Sequence, residues 1–137
     1  MHDREQARLL LVMAGKDLQA LEGMTEPERF ADEIFGFHAQ QAVEKSFKAW
    51  LAMNGIEYPH THDLAALFGL LQDAQASGIE QFHPLVDLSD FAVQFRYDIY
   101  GDEPVDRKGI DGQVDRLVQH VEELLKKQTD PTQPPSS

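Results

Sequence analysis

The sequence predicts an all-α domain, an up-down antiparallel bundle of four to five helices. Three observations carry this. Apolar residues recur at steps of three and four in several long segments. The breaks between those segments are short and rich in Gly, Pro and Asn. No alternating Val/Ile/Thr run bounded by turns appears, so strand signals are absent. Short links between long amphipathic helices favour antiparallel neighbours.

The first helix carries Ala7, Leu11, Ala14, Leu18 and Leu21 as one continuous stripe. The segment GMTEPE, Gly23 to Glu28, breaks it. A long second helix is predicted from about Phe30 to Asn54, with Asn54-Gly55 as its stop. After the loop IEYPHT, Asp63 or Thr61 is placed to cap a third helix that carries Leu64, Leu67, Phe68 and Leu71. Ser77-Gly78 ends it. A fourth helix is predicted to begin near Pro84, a residue tolerated in a first turn, with Leu85, Leu88, Ala92, Phe95 and Ile99 as its stripe. GDEPVDRKG then reads as a loop. Ile110, Val114, Leu117, Val121 and Leu124 mark a fifth element, closed by Lys126-Lys127 where cations suit a helix C-terminus. Residues 1–128 are thus expected to form the bundle. The Pro-rich end, residues 129–137, reads as a disordered tail.

A chain of 137 residues with 42% hydrophobic and 26% charged residues suits one globular domain with a real core. It has no cysteine, which excludes disulfides and thiolate chemistry. No apolar run approaches the roughly 20 residues of a membrane span. The opening segment carries Asp3, Arg4, Glu5 and Arg8 rather than a secretory leader. A cytoplasmic protein is the expectation. The formal net charge is -12, and no Lys or Arg lies between Lys48 and Arg96. Broad nucleic-acid binding is disfavoured, because phosphate contacts need clustered cations. Any RNA or nucleotide contact has to come from a local patch.

The stretch FHAQQAVEKSFKAWL, Phe37 to Leu51, sets Gln41, Glu44, Lys45 and Lys48 on one side of the second helix. The plainest account is a solvated stripe with Glu44–Lys48 as a favourable i,i+4 pair. Ile34 and Phe37, however, lie on that same side. A face that is apolar at one end and polar at the other fits the rim of an interface with a second copy.

Taken with PHTHDL (Pro59 to Leu64) and FRYD (Phe95 to Asp98) in this order, the stretch resembles the HEPN family. The name stands for higher eukaryotes and prokaryotes nucleotide-binding. The resemblance covers roughly Ala7 to Lys126. It implies a helical bundle that usually forms a homodimer and is often encoded beside a minimal nucleotidyltransferase partner. Several members are toxins of toxin–antitoxin pairs. Many active members are metal-independent ribonucleases whose motif Arg and His, with four to six residues between them, lie at the dimer cleft.

Arg96 matches the motif arginine, and Tyr97 beside it offers an aromatic face. Gly101, Asp102 and Glu103 stand where the His belongs. An exposed carboxylate, ionised at neutral pH, cannot protonate a leaving oxygen and repels a phosphate. This departure favours a dimeric module that acts with its partner and binds nucleotide over a ribonuclease. The alternatives are a ribonuclease using Arg96 with a relocated acid/base such as His62, or a purely structural bundle. Gln41, Lys45, Lys48 and Tyr97 are the candidate binding residues; His62 also reads as an organiser of the loop before the third helix. His38 reads as a partly buried, satisfied histidine. His60, His62 and Asp63 are too common a set to define a metal site, and no cofactor motif is present.

Overall fold

The structure, a computed structural model, describes residues 3–24, 26, 28–88 and 106–128. It is all-α, with no strand among the described residues. Helix α1 spans Arg4–Gly23, α2 Asp32–Met53, α3 Leu64–Asp73, and α4 Arg107–Lys127; a 3-10 helix spans Ile79–Asp87.

Three of the four α-helix starts have a polar cap, while α2 follows Ala31 with no side-chain cap bond. The Asp3 side chain accepts from Gln6 N–H at 2.9 Å. Asp63 accepts from Ala65 N–H at 3.0 Å, and Asp106 from Gly109 N–H at 3.0 Å. Each satisfies an amide that a first helical turn leaves without a partner. The ends follow the same logic. Gly55, at φ 73, lets Ile56 N–H return to Leu51 O at 2.9 Å. Gln75 makes the equivalent turn after α3 at φ 55, with Ala76 N–H on Leu71 O at 3.0 Å.

Helix α2 is the axis of the fold. Phe35, Ala39, Val43, Phe47 and Trp50 are buried, as are Leu51 and Met53. Helix α1 presents Ala7, Leu11, Ala14, Leu18 and Leu21 to it, the stripe the sequence indicates. From α3 come Leu64, Leu67, Phe68 and Leu71, and from α4 Val114, Leu117 and Val121. A fully buried Leu or Phe contributes about 1.5–3 kcal/mol, so this one contiguous core supplies most of the favourable folding energy.

The contacts also fix direction. Asp3 N–H bonds Ala52 O at 2.9 Å, so α1 and α2 are antiparallel. Arg4 donates to Gln128 O at 3.2 Å, so α1 and α4 are antiparallel too. Phe47 meets Phe68 with ring centroids 6.3 Å apart, while the turn before α3 lies beside Gln40. Residues 54–63 therefore make the return, and α3 runs alongside α2.

Three boundaries differ from the sequence expectation, the first being that α3 ends at Asp73 rather than at Ser77-Gly78. The helical turns expected to begin near Pro84 start at Ile79 and are 3-10, with Pro84 inside them. Gly78 at φ 81 sets this start. A Cβ there would lie 2.8 Å from Gln81 Nε2 and 3.0 Å from His120 Cε1. Leu85 and Leu88 are buried as expected; Ala92, Phe95 and Ile99 lie outside the described residues. Likewise α4 begins at Arg107, inside the expected loop GDEPVDRKG, because Asp106 caps it. The Pro-rich tail, 129–137, lies outside the described residues.

Candidate functional site

The polar residues of α2 do not act as one stripe. They divide into two clusters that face different neighbours. Toward α1, Asp17 receives Lys45 Nζ at 2.7 Å and contacts His38 Nδ1 at 3.2 Å. The three side chains are partly buried, so this is a bracket between two antiparallel helices. His38 is thereby the satisfied histidine expected.

Toward the start of α3, Glu44 forms the second cluster, and here the solvated-stripe account fails. Glu44 is only 5% exposed. One carboxylate oxygen receives Lys48 Nζ at 3.1 Å; the other meets His62 Nδ1 at 2.8 Å. Gln40 Nε2 donates to His62 O at 3.2 Å, which holds the backbone of the same residue. A buried carboxylate without such partners would be costly, and its donors offset that cost. The neighbouring Lys48 Nζ also lies 5.8 Å from the Tyr58 ring centroid. Burial, then the charge of Asp3, raises the pKa of the Tyr58 phenol above its usual value, and its oxygen receives Gln6 Nε2 at 2.8 Å.

The geometry of His62 follows from this. An ionised carboxylate can only accept, so Nδ1 is the donor. In the neutral ring the lone pair is then on Nε2. The side chain is 81% exposed, so that nitrogen is open to solvent. Thr61 Oγ1 accepts from Asp63 N–H at 3.0 Å and steadies the turn. The organising role and the presented imidazole thus coexist in one segment.

Gln41, between the two clusters, is half-buried. Ile34 and Phe37 are 46% and 48% exposed. Helical rotation puts both, with Gln41 and Lys48, on the side of α2 turned away from the core. On α1, Leu9 and Met13 are exposed at 51% and 47%. The Asp17 bracket sets the two helices side by side. Arg96 and Tyr97 lie outside the described residues.

Sequence reasoning missed Arg107. It read as part of a loop, yet it is 5% exposed. It donates to Met24 O at 2.9 Å, to Phe30 O at 2.6 Å and to Asp32 Oδ1 at 2.6 Å, and lies over Phe35 at 5.1 Å. The one available signal was Asp106 as a cap, which would have moved RKG into a helix.

Among the described residues no helix is long and apolar enough to cross a membrane. No curated protein and no solved structure matches the chain. A family model does: the HEPN domain, over residues 7–130. That match spans most of the chain and agrees with the all-α bundle, and the chain belongs to the HEPN domain family.

Proposed function

We propose that this chain works as a homodimeric HEPN module, paired through the outer face of α1 and α2, that acts with a partner minimal nucleotidyltransferase in a toxin–antitoxin-type pair. A nucleotide is its candidate ligand. The observation that carries the reading is the exposure of Ile34 and Phe37, at 46% and 48%, on a helix otherwise buried over most of its surface. Leu9 and Met13 extend the apolar area onto α1. Two antiparallel helices laid against their own copy make a four-helix layer, which suits an isologous contact. Gln41 and Lys48 would form its polar rim, and Lys45 would brace it from the Asp17 bracket. Arg96 and Tyr97, a guanidinium beside an aromatic ring, are assigned the phosphate and base contacts.

Sedimentation equilibrium tests the pairing. The wild type is expected at twice the chain mass, and an Ile34→Asp/Phe37→Asp variant at the chain mass with unchanged helical circular dichroism. A monomeric wild type, or a variant that stays paired, defeats the reading. Co-purification with a small nucleotidyltransferase and calorimetry with ATP test the partner and the ligand.

A further inference from the structure

We propose that His62 is a phosphoryl-acceptor site: a nucleophilic imidazole built by Glu44 and presented to a phosphoryl donor through Nε2. The assignment is independent of the pairing of two chains.

Both ends of the residue are fixed by α2. Gln40 Nε2 holds the His62 carbonyl at 3.2 Å and Glu44 holds Nδ1 at 2.8 Å. Glu44 is nine-tenths buried, so its position is set by the core rather than by solvent. With Nδ1–H committed to the carboxylate, Nε2 is the nucleophilic nitrogen. At 81% exposure it stands in open solvent rather than in a cleft, which fits a group delivered by a donor from outside better than a reaction confined to a pocket.

The transfer balances without a co-reactant. The Nε2 lone pair forms a bond to phosphorus, the bond from phosphorus to the donor's leaving group breaks, and that group departs with the electron pair. The ring gains positive charge as the bond forms, and this charge develops against the Glu44 carboxylate. Lys48, 3.1 Å from the second carboxylate oxygen, balances the buried anion before transfer. Asp63, the acidic neighbour, has a carboxylate oxygen occupied by Ala65 N–H at 3.0 Å.

His60 is an internal control. It is exposed, two residues away, and has no carboxylate partner among the described residues. The intact chain is treated with phosphoramidate in mildly alkaline buffer, where the reagent's nitrogen leaves as ammonia. Phosphohistidine at His60 and His62 is then followed by mass spectrometry. His62 is expected to label at least about tenfold faster than His60, a difference of about 1.4 kcal/mol in the barrier. Glu44→Gln is expected to bring the His62 rate down to that of His60. Equal rates at the two histidines in the wild type overturn the proposal, as does a folded Glu44→Gln chain that labels His62 undiminished. The wild-type ratio stands as a test even if the variant does not fold.

Discussion

Arg107 and Glu44 are each 5% exposed, each carry a charge, and each tie α2 or its entry to another element. Their surroundings differ in one respect. Arg107 directs its donors inward, to two backbone carbonyls and Asp32, and its ring partner Phe35 is fully buried. Glu44 instead hands one of its bonds to a side chain that is 81% exposed. The first network joins α4, the end of α1 and the entry to α2, and its most exposed member, the Asp32 carboxylate, is 38% exposed. In the second, the buried carboxylate bonds an exposed imidazole. Both charges are buried; the two networks differ in how far the partner reaches into solvent, 38% for Asp32 against 81% for His62.

The largest expected effect separates these two roles. Arg107→Ala strands Met24 O and Phe30 O and leaves Asp32 unpaired, and should cost about 3–5 kcal/mol in urea unfolding, while the His62/His60 labelling ratio of the folded fraction stays unchanged. If that variant alters the ratio, the two networks are coupled and the contrast fails. Glu44→Ala is next. It leaves Lys48, at 15% side-chain exposure, without its carboxylate, but solvent reaches Lys48 and His62, so about 1–3 kcal/mol is expected. A loss as large as that of Arg107→Ala would mean Glu44 is mainly structural.

The smallest effect is Asp111→Asn on α4. Burial, then the charges of Glu22 and Asp115, raises the pKa of Asp111, and one of its carboxylate oxygens is buried with no hydrogen-bond partner. A raised carboxyl pKa means the ionised form is disfavoured by the fold, so wild-type stability improves as pH falls through that pKa. At neutral pH Asp111→Asn should therefore stabilise by well under about 1 kcal/mol, discounted for solvent screening, and the gain should vanish in acid. Thermal unfolding at neutral and acid pH measures it, and a gain that grows in acid contradicts the assigned cause.

The fold was legible because its signals are local. The stripe from Ala7 to Leu21 and the apolar set Leu64, Leu67, Phe68 and Leu71 are single-helix patterns, and the structure buries them. Asp63 as a cap was equally local. The charged site was less legible. Rotation placed Glu44 with Lys45 and Lys48, but whether a helix side is wet depends on the neighbour that covers it. Glu44 and His62 are 18 residues apart and meet only because residues 54–63 return along α2. Asp17 and Lys45 meet across 28 residues for a similar reason. The exposed pair Ile34 and Phe37 was visible as an anomaly of pattern, since large apolar residues interrupted a polar side.

The central claim is that a buried carboxylate sets the chemical state of an exposed imidazole. Long-range nitrogen–proton correlation spectra of the histidine rings, recorded on the neutral form, test it most directly. His62 is expected as the Nδ1–H tautomer, while exposed His60 shows the mixture of a free ring. A His62 ring found mainly as the Nε2–H tautomer, or matching His60, would contradict it.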